Sequence, residues 1–195
     1  METTFLIQEV HGCSIVRLQS ADGTNRLTRA CVQGLTDAVL ALAAKGQPRS
    51  LVITGNENFF SAGADLHEIA QLTAVAAYEF SKAGQELMTA VECFPAPSYA
   101  AISGYCMGGG LDLALACRYR IASPRATFGH RGAALGLITG WGGTQRLPRL
   151  IGKGRALAMF VAAEKVSADQ ALRMGLIDAI SDDPVPEAER RASAG

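Results

Sequence analysis

No excess charge of either sign marks this sequence: Lys+Arg and Asp+Glu balance at 18 each over 195 residues. No global field therefore recruits nucleic acid or an anionic membrane surface. Long apolar runs are missing as well. No stretch approaches the roughly 20 apolar residues that a bilayer-spanning helix needs. Met1 to Cys13 shows no basic region followed by an apolar run, so no signal peptide is expected. Metal-ligand spacing is missing too. The three histidines, His11, His67 and His130, lie far apart, and none of the five cysteines stands in a C-x-x-C pair. An odd cysteine count without a secretion signal reads as reduced, mostly buried thiols in a cytoplasmic protein. No phosphate-loop or dinucleotide glycine fingerprint stands at a strand–helix turn. These absences leave a soluble single domain whose expected partners exclude nucleic acid, membrane and metal.

What is present points to a folded core. Hydrophobic residues make up 49% and charged residues 18%, and this length suits one core. Phe5 to Leu18 alternates loosely and predicts a strand or hairpin. A helix is expected after Thr28 as N-cap, with Leu35, Ala38, Val39 and Leu42 on one face. Leu51–Thr54 and Ser98–Ser103 read as short buried strands, and Leu66 to Phe94 as a helix broken near Thr73. Ser167-Ala-Asp-Gln170 is a capping box opening a helix that Gly175 closes, with a strand from Leu176 to Ile180. Strands alternating with helices predict an α/β fold with a largely parallel sheet.

The 21 glycines cluster. Phe60-Ser-Ala-Gly-Ala-Asp-Leu66 follows a strand and enters a helix, and Gly108-Gly109-Gly110 opens another. Small residues admit a ligand close to the backbone, and the first N–H groups of a helix have no intrahelical acceptor. Two such donors meeting at one point would make an oxyanion hole. Tight βα packing is the alternative for either segment alone.

With Gly140-Trp-Gly-Gly-Thr-Gln-Arg-Leu147 in third place, the order and spacing of these segments resemble the crotonase family, the enoyl-CoA hydratases and isomerases. The likeness runs from Asn25-Arg26-Leu27 to the helix and strand of Ser167 to Ile180. It implies a spiral of ββα units in which the N–H groups of Ala64 and Gly109 form the oxyanion hole. The loop from Ala62 to His67 would hold a bent coenzyme A. Arg26, Ala62, Gly63, Asp65, Leu66, His67, Gly110, Gly132 and Trp141 would be positions binding CoA or substrate. The ligand is then an acyl-CoA thioester, with coenzyme A part of the substrate and no separate cofactor. The resemblance also implies a homotrimer or hexamer, built partly by C-terminal helices. This chain stops soon after Ile180, so residues 1–181 are read as the acyl-CoA-binding domain. Residues 182–195 are read as a polar, frayed tail, with the helical trimerisation region largely missing.

The sequence departs from the family at the acid–base positions. Typical hydratases place one Glu after the glycine run and another after Ala-x-Phe-Gly; here Asp112 and Gly132 stand there. Gly132 can transfer no proton. The shorter Asp112 sets its carboxylate back by roughly one C–C bond, about 1.5 Å. Its place in the first turn of a helix favours the ionised form and hence a base. If Phe128 to Gly132 is extended, His130 shares the side of Gly132 and could move a proton near neutral pH. A loop histidine facing water is the plainer reading. Trp141 either lines the acyl pocket or packs. Hydration of an enoyl-CoA is the expectation, with isomerisation, thioester hydrolysis and non-catalytic acyl-CoA binding as alternatives.

Overall fold

The computed structural model describes residues 3–10 and 12–193. The chain opens with the expected hairpin: β1 (Thr3–Val10) pairs antiparallel with β2 (Cys13–Ser20), Phe5 opposite Leu18. A two-residue strand, β3 (Arg26–Leu27), precedes α1 (Arg29–Ala43). Thr28 caps α1 by accepting from the Cys31 N–H, and Cys31, Val32, Leu35, Val39 and Leu42 form its buried stripe.

Three strand–strand–helix units follow. The first has β4 (Ser50–Thr54) and β5 (Phe59–Ser61), the short β6 (Gly63–Ala64), α2 (Leu66–Ile69) and α3 (Ala74–Glu92). The second has β7 (Ser98–Ile102), β8 (Tyr105–Met107) and α4 (Gly109–Ala116). The third has β9 (Tyr119–Ala122), β10 (Thr127–Gly129), a 3-10 turn at Gly132–Leu135, α5 (Gly143–Ile151) and α6 (Lys153–Ala162). The chain ends with β11 (Val166–Ser167), α7 (Ala168–Met174), β12 (Ala179–Ile180) and α8 (Pro184–Ser193).

The first strand of each unit joins a six-stranded sheet of order β1-β2-β4-β7-β9-β12, and the second joins a four-stranded sheet of order β11-β10-β8-β5. Each unit therefore advances the chain by one strand in both sheets, which makes the predicted spiral. Pairing is parallel except between β1 and β2 and between β10 and β11. Every residue of β4 and β7 is buried, as strands covered on both faces must be. The Ser167–Gln170 capping box and the left-handed Gly175 cap stand as the sequence indicates.

Two expectations are corrected. The segment read as a loop from Gly55 to Asp65 contains β5 and β6, and β6 pairs in parallel with β3 through Arg26–Gly63 and Leu27–Ala64. The segment read as a frayed tail is the helix α8. Ala188 is fully buried, and Ala188, with Val185 and Ala192, packs on Cys13, Ile15, Val52, Tyr99 and Ile121. The spacing 185, 188, 192 is helical, and Glu187 adds ion pairs to Arg190 and Arg191. Ala194 and Gly195, the last residues of that tail, lie outside the described residues.

Candidate active site

The helix α4 begins two residues before the predicted Leu111, so Gly109 is its first helical residue. The turn before it requires glycine: Gly108 has φ +50° and ψ −121°, and its N–H donates to the Gly129 carbonyl at 2.9 Å. At the first helical position the Gly109 N–H has no intrahelical acceptor. β6 lies directly against this helix start. A Cβ placed on Gly109 would stand 3.3 Å from the Ala64 nitrogen, and one on Gly63 would stand 3.0 Å from the Gly109 nitrogen. Two amides 45 residues apart in sequence, 109 less 64, therefore share one small region, at the edge where Ala64 is half-buried.

Asp112 follows in the same first turn. It is 1% exposed, and His130 is 3% exposed. Asp112 Oδ1 and His130 Nε2 face each other at 3.4 Å, and neither has a hydrogen-bond partner among the described residues. The other oxygen, Oδ2, accepts from the Thr139 hydroxyl. The Phe160 ring packs on the imidazole with centroids 5.0 Å apart. The cluster fits because Gly143 lacks a side chain. A Cβ there would lie 2.1 Å from Asp112 Oδ1, 3.0 Å from Thr139 Cγ2 and 3.1 Å from His130 Nε2.

Burial sets the electrostatics. Desolvation pushes the Asp112 carboxyl up to about 7, against the opposing Thr139 hydrogen bond and the nearby Arg146 charge. Desolvation pushes the His130 imidazole down to about 4. Between these limits Asp112 is protonated and His130 neutral, so the pair carries one transferable proton and no net charge. The helix start favours the ionised form of Asp112, but the penalty for burying the charge acts against it and raises the carboxyl toward neutrality. The expected extension from Phe128 to Gly132 is corrected. β10 ends at Gly129, and Arg131, with φ −92° and ψ 12°, turns the chain into the 3-10 turn. His130 is thereby directed inward to Asp112 rather than to water.

The remaining predicted positions separate into two groups. Ala62, Leu66 and His67 lie partly or fully exposed on the segment around Ala64, and Arg26 is held by Asp22 at 2.9 Å. The others are packing positions. Asp65 is buried, and its Oδ1 caps α2 by accepting from the N–H groups of His67 and Glu68 at 2.7 and 3.2 Å. Gly110 abuts Ser61, where a Cβ would meet side chain and backbone within 2.9 Å. Gly63 is buried with φ +94°, its Cα turned to the Met107 carbonyl. Gly132 closes its own turn: a Cβ would sit 2.6 Å from the Leu137 carbonyl oxygen. Trp141 packs rather than lining an open pocket. It is 4% exposed, donates from Nε1 to the Phe80 carbonyl at 3.3 Å, and lies in a slot between Gly84 and Gly109. Sequence reading missed Thr139 and Gly143. The run Gly140 to Gly143 was a signal for the second, but nothing local singles out the first.

A ββα spiral with a helix-start amide, a neighbouring strand amide and a buried acid–imidazole pair defines a scaffold for acting on a polarised carbonyl. The chain belongs to the enoyl-CoA hydratase/isomerase family, whose profile matches residues 9–193. It is 34% identical over 190 residues to the crotonyl-CoA hydratase of Syntrophomonas wolfei, covering 96% of this chain and 73% of that one. It is 32% identical over 182 residues to the short-chain-enoyl-CoA hydratase of Clostridium acetobutylicum, covering 92% and 70%. Among solved structures, DspI of Pseudomonas aeruginosa superposes with a TM-score of 0.93 at 35% identity, over 97% of this chain and 73% of that one. An enoyl-CoA hydratase from Bacillus anthracis does so with a TM-score of 0.91 at 31% identity, over 98% and 77%. The crotonase-type fold implied by the motifs is thus shown. Among the described residues, no helix is long and apolar enough to cross a membrane.

Proposed function

We propose that this chain hydrates the double bond of an enoyl-CoA thioester, with Ala64 and Gly109 as oxyanion donors and Asp112 and His130 as the proton-transfer pair. The observation that carries this reading is the approach of the Ala64 nitrogen to Gly109, less than one helical turn from a buried Asp112. Drawing charge onto the thioester oxygen makes the β-carbon electrophilic and the α-carbon basic. Each preformed donor stabilises the resulting enolate by roughly 3 kcal/mol. Water adds its oxygen to the β-carbon and gives a proton to neutral His130 at Nε2, while protonated Asp112 gives its proton to the α-carbon. Proton return from His130 to Asp112 across their 3.4 Å contact restores the pair. One water is consumed, and no cofactor is needed beyond the CoA of the substrate.

Both groups are shielded, so the exposed residues 133–138 have to shift as the acyl chain enters, while Thr139 stays on Asp112. The missing carboxylate at Gly132 favours double-bond isomerisation as a second reading, because a single proton-holding pair serves two carbons of an acyl chain. The family resemblance favours a homotrimer or hexamer, which light scattering tests, and the free cysteines favour the cytoplasm. The activity test follows loss of the enoyl-thioester ultraviolet absorbance over a series of chain lengths, with product analysis for migration of the double bond. Asp112→Asn and His130→Ala are each expected to lose at least about 100-fold in kcat. Full activity in both removes the proton-transfer assignment.

A further inference from the structure

Thr139 has no role in the reading above, yet its hydroxyl is the hydrogen-bond partner of the buried carboxyl. We infer that Thr139 is a positioning residue: by donating to Asp112 Oδ2 it fixes the carboxyl rotamer and leaves Oδ1, the oxygen facing His130, to carry the proton. This rests on the assignment of Asp112 as the proton-transfer group.

Three observations carry it. A carboxyl has two oxygens that exchange by rotation about χ2, which is a broad torsion. A hydrogen bond to one oxygen only, with the other unpartnered, removes that equivalence. The space around Oδ1 is then limited on one side by the His130 ring and on another by the bare Cα of Gly143. The other charged or titratable groups near the carboxyl are Arg146 on α5 and Cys106 on β8. Neither hydrogen-bonds Asp112. Arg146 pairs with Glu92 and reaches the Trp141 carbonyl at 3.4 Å, while the Cys106 thiol points to the Gly110 carbonyl at 3.6 Å. Among the described residues, the Thr139 hydroxyl is therefore the hydrogen bond that tells the two oxygens apart, and it leaves Oδ1 toward His130.

The selection matters because protonation at Oδ2 would place the proton away from His130, and the proton-return step would fail. The hydroxyl also stabilises the ionised carboxyl, so its removal raises the pH at which Asp112 loses its proton.

The test compares Thr139→Val, which keeps the shape and removes the donor, with Thr139→Ser, which keeps the donor. The kinetic readout is kcat and KM across pH. The second readout, independent of turnover, is the carbon-13 resonance of the Asp112 carboxyl titrated in the folded protein. Thr139→Val is expected to lose about ten- to hundredfold in kcat with KM nearly unchanged. Its alkaline limb and its carboxyl titration should both move to higher pH, by about one unit. Thr139→Ser should recover both. If Thr139→Val keeps its kcat and its midpoint while Asp112→Asn is inactive, this inference fails and the proton-transfer reading stands. If Asp112→Asn is itself fully active, that reading fails and the inference falls with it. A midpoint that moves without any change in kcat leaves Thr139 a structural contact and overturns the inference.

Discussion

The sharpest perturbation of the site is Gly143→Ala. The added Cβ would lie 2.1 Å from Asp112 Oδ1, against a normal carbon–oxygen approach of about 3.3 Å. The carboxyl must therefore retreat by roughly 1 Å, the difference between these distances. The way out is closed on two sides, since the same Cβ stands 3.0 Å from Thr139 Cγ2 and 3.1 Å from His130 Nε2. Overpacking of this kind costs about 1–3 kcal/mol of stability. The effect on turnover should be larger, because a 1 Å misplacement of a reacting group costs about 100-fold. The control is Gly154→Ala, on α6, where a Cβ meets nothing within 4 Å. It should be neutral or stabilising by less than about 1 kcal/mol, with unchanged kcat. Urea denaturation and the absorbance assay measure both quantities on both variants. A Gly143→Ala enzyme with wild-type kcat would refute the claim that Asp112 must occupy its observed position.

Other consequences are equally direct. His130 takes up a proton near pH 6.5 when unfolded but only at about 4 when folded, so the wild type loses stability as pH falls through that window. His130→Gln lacks this loss and should gain about 3 kcal/mol relative to wild type between pH 6.5 and 4, read by urea denaturation at each pH; parallel curves would show that the imidazole is not held neutral. Trp141→Ala should lose about 3–5 kcal/mol and more kcat than KM, because the indole fills the slot behind Gly109. Trp141 is the one tryptophan of the sequence, so its emission reports unfolding in every other variant. Ala188→Glu would bury an unpaired carboxylate under the large sheet and should destabilise by at least about 3 kcal/mol, whereas a frayed tail would tolerate it without change in the melting temperature.

The elements legible in the sequence are those whose signals are local. Thr28 and Ser167 cap helices because a hydroxyl one residue before a helix reaches the N–H groups of its first turn, and the break read near Thr73 is the cap of α3. The strands 50–54 and 98–102 announce themselves by their unbroken inner apolar residues, because both faces are covered. The dipole argument at Asp112 was also local, and burial, which is not, acts against it. Helix α8 was missed for the opposite reason: five polar or charged residues and two prolines between Pro184 and Ser193 mask the three small apolar positions that bury it.

The capped helices and buried strands were determined by the sequence alone, since caps and apolar period depend on neighbours along the chain; the family and the spiral of strand–strand–helix units came from the resemblance carried by three glycine-rich segments in order. What only the tertiary structure decided is the company the site residues keep. Thr139 and Gly143 meet Asp112 from 27 and 31 positions away, the differences of their numbers from 112, and no local pattern encodes that meeting. Burial then sets the protonation of the pair, because the free energy of a charge depends on everything packed around it rather than on the residue that bears it.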